Sequence, residues 1–210
     1  MSIDGKIALP NKKPIKLSSL EDFRRVHELR NYCDGILVGI ETIIMDDPKL
    51  TVKPEFVIKP QNPVRIVLDT RGRTPPDAKV LDNSAKTYIV MGENYRNKNL
   101  SFKNAEILYC PSINSENSEK IDLKCLLGIL KGKGIENLMV EGGETVIFTF
   151  IKNNLVDELS VYISSKIIGG ITSPTLAGGS GFNVEDEVQN LTVYSIERFG
   201  DGVLLKYIIK

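Results

Sequence analysis

Short β-branched and aliphatic runs alternate with helical patterns along most of this chain, and that alternation leaves few architectures open. "GILVGI" (Gly35–Ile40), "VRIVLD" (Val64–Asp69), "KTYIVM" (Lys86–Met91), "AEILYC" (Ala105–Cys110), "NLMVE" (Asn137–Glu141) and "ELSVYIS" (Glu158–Ser164) read as strands. Between and around them lie helices. "SSLEDFRRVHELRNY" opens on a serine cap with an acidic first turn, and Phe23, Val26 and Leu29 recur at helical spacing. "DLKCLLGILKGKG" is a helix stopped by glycine. Such alternation predicts a three-layer α/β/α fold with a mostly parallel central sheet. The end of the chain departs from it. "LTVYSIERF", a turn at Gly200-Asp201-Gly202 and "VLLKYIIK" predict a hairpin that gives the sheet an antiparallel edge. The polar segment Ser112–Lys120 reads as a surface loop. Neither a repeat nor a linker divides the 210 residues, so a single domain over 1–210 is expected.

Composition removes several classes of function. Twenty-seven basic residues balance 27 acidic ones, so no global positive field draws the chain to nucleic acid or anionic membrane. No apolar run reaches membrane-spanning length, and the first residues carry no signal core. Cys33, Cys110 and Cys125 are few and far apart, which suits a reducing cytoplasm and argues against a disulfide framework or a metal site. His27 is the only histidine, and on its helix it reads as solvated or half-buried. Serine–histidine or cysteine–histidine catalysis therefore lacks material. A reaction whose hard step belongs to a redox cofactor asks less of the side chains, and hydride transfer fits.

Three segments and two cations hold the chemistry. In "NLMVEGGETVIFTF" a strand runs into Gly142-Gly143 and then a helix whose Val146, Ile147, Phe150 and Ile151 share a face. Paired glycines there bring backbone N–H groups close to a phosphate, although a ligand-free turn has the same pattern. The chain has no GxGxxG after its first strand and no GxxxxGK[ST]. "LVGIETIIMDDPKLTVK" sets Thr42 at a helix start to donate to phosphate or ribose, and Asp46 to cap or to bind a ribose hydroxyl; Asp46-Asp47-Pro48 is equally a plain turn. "VLDTRGR" ends a strand on Asp69, suited to a free ribose 2′-hydroxyl, beside Arg71 and Arg73, suited to a 2′-phosphate. Two arginines against one acid favour NADPH. Arg30 and Lys53 are cations able to hold a substrate phosphate, and equally able to be solvated.

"SIDGKIA", "VGIETIIMDDPKLTV", "NPVRIVLDTRGR", "VEGGETV", "LVDELSVYISSKIIGG" and "GDGVLL" follow one another in an order that resembles the riboflavin-pathway pyrimidine reductases. These have a dihydrofolate-reductase-like fold, and the resemblance is to their stand-alone archaeal type. It covers nearly the whole chain and implies one reductase domain; relatives carry a further hydrophobic strand before the "SIDGKIA" position, where this chain has Met1, so either the sequence starts late or the sheet lacks that strand. The HxE and PCxxC motifs of the zinc deaminase domain fused to bacterial relatives are absent, so reduction alone is implied. The implied reaction turns the ribosylamino group of 2,5-diamino-6-ribosylamino-4(3H)-pyrimidinone 5′-phosphate into a ribitylamino group, with NADPH hydride going to C1′ of the opened sugar. The resemblance also implies roles for residues. Thr42, Asp46, Thr70, Arg71, Gly72, Arg73, Gly142, Gly143, Glu144 and Thr145 contact the cofactor. Arg30, Leu50, Lys53 and Glu141 contact substrate, and Glu141, Asp4 and Lys6 form the catalytic set. At Lys53 many relatives carry arginine. A cytoplasmic homodimer is expected, without metal, nucleic acid or membrane. The alternatives are reduction of the deaminated uracil, a dihydrofolate reductase (against which the DGK and DDPxLT motifs speak) and a nucleotide-binding protein without turnover.

Overall fold

The computed structural model describes residues 1–13, 15–115 and 118–209. It contains two compact units, Met1–Val26 with Gly143–Lys210, and His27–Gly142. The boundary is crossed inside helix α1 (Leu20–Tyr32) and again at Gly142-Gly143.

The unit His27–Gly142 is built on five parallel strands. They are β1 (Gly35–Gly39), β2 (Val64–Leu68), β3 (Thr87–Gly92), β4 (Ala105–Cys110) and β7 (Leu138–Gly142), in the order β4-β3-β2-β1-β7. Strands covered on both faces read as continuous apolar runs, and every residue of β1 and β3 is buried. In this register Ile36, Val38, Val67, Ile89 and Met91 share one face and join Ile40 and Ile43 of α2 (Ile40–Asp46), Leu50, Val80 and Leu81 in a buried cluster. Leu37, Ile66, Tyr88 and Val90 point to the other face and are buried as well. Helix α3 (Leu123–Gly132) starts at Asp122, whose carboxylate accepts from the N–H groups of Lys124 and Cys125, and buries Leu123, Leu126 and Leu130.

One buried charge organises this core. Arg65 of β2 has no exposed surface, and it donates to Thr87 Oγ1 (2.8 Å), Asp82 Oδ1 (2.8 Å) and the carbonyls of Asp82 and Ala85 (both 2.6 Å). A buried guanidinium is tolerable only with its donors met in this way. It ties the loop before β3 to the strand beside it.

The expected loop at Ser112–Lys120 is instead a hairpin of β5 (Ser112–Ser115) and β6 (Ser118–Ile121), with residues 116–117 outside the described ones. The segment's polarity hid the strands: each carries a single isoleucine, Ile113 paired with Lys120 and Ile121 with Ser112, so the two lie on opposite faces.

In the other unit, β8 (Glu158–Ile163), β9 (Leu191–Phe199) and β10 (Gly202–Ile209) form an antiparallel sheet in the order β8-β10-β9. The predicted hairpin is present at its predicted turn. Its pairing partner is β8, so the three strands make a sheet of their own where an edge on the parallel sheet was expected. Helix α4 (Glu144–Lys152) buries Phe148 and Phe150, and the Phe148 ring meets Phe182 edge-on at 5.1 Å. Among the described residues no helix is long and apolar enough to cross a membrane.

Candidate functional site

Parallel strands point their carboxyl ends the same way, so the segments leaving them share one edge. The order β4-β3-β2-β1-β7 also reverses direction between β1 and β7, and ligands of open α/β sheets bind outside the strand ends at such a switch point. Glu141 and Gly142 end β7, α2 follows β1, and the Asp69–Arg73 turn follows β2. The three segments singled out from sequence therefore reach one edge because of topology, though they are about 30 to 100 residues apart in the chain.

Glu141 is aimed by a bulge. Leu37 of β1 pairs with Val140 and Val38 with Gly142, which leaves Glu141 as an extra residue opposite none. Its carboxylate takes both Nε and Nη2 of Arg30, at 2.6 Å each, and both side chains are 16% exposed. Arg30 Nη1 donates to the Thr51 carbonyl at 3.1 Å. Two residues expected to meet substrate separately are thus locked together by a charge-assisted fork.

The loop carrying Thr51 is fixed on either side. Leu50 is 2% exposed, belongs to the core cluster and holds a left-handed φ of 52°. Its side chain packs in the core, and this sets the backbone of the loop. Lys53 N–H donates to His27 Nδ1 at 3.2 Å, and the imidazole stacks on Phe56 at 5.4 Å.

His27 is not the solvated or half-buried residue read from sequence: it is 2% exposed. Burial, and then the charges of Arg30 and Lys53, push its pKa down to about 4. An unfolded histidine takes up its proton near pH 6.5, so stability is full above that value and falls as pH drops towards 4. The loss approaches about 3 kcal/mol. Urea midpoints at pH 7 and pH 4.5 should separate for wild type and converge for His27→Gln. A wild-type midpoint flat over this range would show that the imidazole titrates normally.

The turn after β2 differs from its sequence reading in one respect. Asp69 is fully buried, and its Oδ2 accepts from Thr74 N–H at 2.7 Å and Thr74 Oγ1 at 2.8 Å. The acid read as a ribose ligand closes its own turn. Gly72 sits at φ +70° with Met91 and Leu100 where a Cβ would lie. Thr70 accepts from Gly92 N–H through its carbonyl. Arg71 is exposed and its carbonyl accepts from Lys98 Nζ at 2.9 Å. Arg73 Nη1 pairs with Glu41 Oε1 at 2.6 Å.

On α2, Thr42 lies in the first turn and Asp46 ends the helix. The Asp46 carboxyl is partly withdrawn from water, which raises its pKa, although the residue as a whole is exposed. Asp47 caps the helix in a left-handed conformation and accepts from Lys79 N–H at 2.8 Å. The turn reading therefore holds for Asp47, and Asp46 is left on the helix end.

The two glycines of "VEGGETV" differ. Gly142 has φ +134° with nothing within 4 Å of a Cβ built on it, so conformation demands glycine there while space remains for a ligand. Gly143 caps α4 at φ −77° and ψ −171°, a conformation any residue adopts. Glu144 turns to its own unit: Oε2 accepts from Thr175 N–H at 2.9 Å and fills the space beside Gly178. Thr145 is exposed in the first turn of α4, where its carbonyl accepts from Thr149 Oγ1.

Asp4 and Lys6 belong to a tight turn closed by Ser2 N–H to the Lys6 carbonyl at 2.8 Å. Asp4 accepts from Ile168 N–H (3.0 Å) and Gly169 N–H (2.7 Å), and hydrogen bonds from Ser2 and these two groups hold its pKa down to about 2. Lys6 bridges Thr175 through its backbone, and its Nζ lies 3.4 Å from the Ser173 carbonyl. Both hold the segment that also anchors Glu144. Neither the bulge, the inward turn of Asp69 nor Glu41 as a partner of Arg73 was legible from spacing. Among the described residues no group of three or more histidines, cysteines and acids could hold a metal ion.

The family model for the RibD C-terminal domain matches residues 1–205. The chain belongs to that family. As a RibD C-terminal domain it is 38% identical over 212 residues to the 2,5-diamino-6-ribosylamino-4(3H)-pyrimidinone 5′-phosphate reductase of Methanothermobacter thermautotrophicus, covering 100% of this chain and 95% of that protein. It is 36% identical over 208 residues to the protein of the same name from Archaeoglobus fulgidus, covering 96% and 91%. Its fold is that of the deaminase/5-amino-6-(5-phosphoribosylamino)uracil reductase of Thermotoga maritima, with TM-score 0.79, 24% identity and 100% of this chain matched. The match takes in 54% of that longer structure, so this chain spans about half its length. The expected reductase family and dihydrofolate-reductase-like architecture are borne out.

The donor set of this RibD C-terminal domain fits a phosphorylated nicotinamide dinucleotide. Two arginines flank a glycine at φ +70°, Gly142 leaves an open approach, and Asp69 is buried with its Oδ2 committed to Thr74.

Proposed function

We propose that this protein reduces the ribosylamino group of 2,5-diamino-6-ribosylamino-4(3H)-pyrimidinone 5′-phosphate to a ribitylamino group, using NADPH, in riboflavin biosynthesis. The observation that carries the reading is the Arg30–Glu141 fork, set by a bulge at the switch point of a RibD C-terminal domain. The nicotinamide, when bound, supplies hydride. Glu141 accepts hydrogen bonds from the substrate, and Arg30 orients it while fixing the Thr51 carbonyl. Lys53 contributes positive charge towards the 5′-phosphate, and Leu50 holds the backbone between them. Arg71 and Arg73 read the 2′-phosphate of the cofactor, and Thr42 and Asp46 meet its ribose and phosphate groups. Backbone N–H groups at Gly142–Thr145 receive its pyrophosphate. Asp4 and Lys6 act by positioning the segment around residues 168–175. The chain acts as one reductase domain in the cytoplasm.

The deciding assay follows NADPH oxidation with the diaminopyrimidinone and the 5-amino-uracil ribosyl phosphates side by side. Preference for the first supports the reading. Preference for the second assigns reduction after deamination, and turnover of neither rejects a reductase of this pathway.

A homodimer is part of the same proposal. Within the sheet β8-β10-β9 the most exposed apolar side chains are on β9, where Val193 is 52%, Tyr194 70% and Ile196 67% exposed. An edge strand of this kind needs cover. Light scattering at micromolar concentration should give twice the chain mass for wild type and a smaller mass for Ile196→Lys. A monomeric wild type rejects the dimer.

A further inference from the structure

We propose that Glu41 determines cofactor specificity by occupying Arg73 in place of the cofactor's 2′-phosphate; this rests on the NADPH reading above. Glu41 stands in the first turn of α2, which leaves β1, and Arg73 stands in the turn leaving the neighbouring strand β2. Their contact, Nη1 to Oε1 at 2.6 Å, lies on the edge where the ends of both strands meet.

The pair is exposed, 48% on the arginine and 65% on the glutamate. Exposed pairs of this kind contribute little to stability and are readily exchanged. Nothing in the core depends on it: Asp69, Thr74 and Gly72 hold the turn without either side chain. What the pair changes is the charge an incoming anion meets. A carboxylate on Nη1 neutralises Arg73, uses one of its five donors, and repels a phosphate that reaches for the others. Arg71 lies within electrostatic reach of another acid, Glu119 on β6. Asp69 was the acid expected to weaken NADPH preference from the ribose side. With Asp69 buried, that role passes to Glu41.

Removing the Glu41 charge should therefore strengthen binding of a 2′-phosphate and of nothing else. The test is calorimetric titration of the full chain with adenosine 2′,5′-bisphosphate and with adenosine 5′-monophosphate, for wild type, Glu41→Gln and Arg73→Ala. The expected result is bisphosphate binding about fivefold tighter in Glu41→Gln, the size of an exposed ion pair, with monophosphate binding unchanged. Arg73→Ala should lose most of the bisphosphate preference. If that variant loses it while Glu41→Gln binds like wild type or more weakly, Arg73 reads the phosphate and the specificity role of Glu41 is overturned alone. If wild type binds both nucleotides equally, the NADPH reading falls and this inference with it. Tighter binding of both ligands in Glu41→Gln overturns the inference as well, because the effect then comes from net charge.

Discussion

Glu141→Gln is expected to lower kcat/KM for the pyrimidine substrate by about ten- to a hundredfold while leaving NADPH affinity within about twofold of wild type. The change keeps shape and removes charge. In the protein the carboxylate accepts two 2.6 Å hydrogen bonds from Arg30 and is only 16% exposed. A glutamine amide can accept one of them through its oxygen but turns an NH₂ group against the other donor. A charge-assisted hydrogen bond contributes about 1.5–3 kcal/mol, which sets the range quoted. Arg30→Lys is the companion variant. It keeps the positive charge but loses the fork, so Glu141 is neutralised without being oriented, and an intermediate loss in kcat is expected. Steady-state kinetics with substrate varied at saturating NADPH, and the reverse, separate the two affinities. Wild-type kinetics in both variants would show the fork to be a structural clamp between α1 and β7. A fall in melting temperature without a fall in kcat would point the same way.

What could be read in advance, and what could not, follows from the range of each interaction. Strands, α3 and the terminal hairpin are local: period, capping and turn residues fix them within ten or so neighbours. The parallel order was legible as a class, because alternating strands and helices have few other solutions. The bulge at Glu141 was not. It depends on the register of β7 against β1, about a hundred residues earlier in the chain, and no feature of "LMVEGG" fixes that register. His27 and Asp69 failed for a related reason. By residue type both are groups that prefer water, whereas His27 is buried by Phe56 and the Lys53 N–H from a distant segment, and Asp69 by Thr74 of its own turn and the Val90 carbonyl of the neighbouring strand that accepts its N–H. The glycine pair shows a finer limit. Sequence identified both glycines, and only backbone angles reveal that Gly142 has the conformation reserved for glycine and Gly143 does not. A valine at Gly143 would therefore meet no φ/ψ penalty, though it would be a poorer N-cap for α4, so cofactor binding and melting temperature must be read together in that variant.

Cofactor choice carries the other large effect. Arg71→Ala/Arg73→Ala is expected to raise the KM for NADPH by about ten- to a hundredfold and the KM for NADH by less than about threefold. The 2′-phosphate carries up to two negative charges, and a planar guanidinium matches its oxygens two at a time. At about 1.5–3 kcal/mol for each charge-assisted contact, one productive arginine accounts for the lower figure and two would exceed the upper one. Two features of this chain keep the expectation at the modest end. Arg73 is 48% exposed, so water screens its charge, and it already holds Glu41. One feature removes the opposing influence. Asp69 has no exposed surface and commits Oδ2 to Thr74, so it does not reach a ribose hydroxyl, and NADH gains no compensating contact from it. The variant should also flatten the salt dependence of NADPH binding, because screening then has fewer charge pairs to act on. The substitutions themselves are mild for the fold: Arg71 is exposed, and the conformation of the turn is set by Gly72 and by the hydrogen bonds between Asp69 and Thr74. Initial rates across both cofactors at two ionic strengths give all four comparisons. Equal losses for NADPH and NADH would mean that the arginines hold the turn and do not read the phosphate.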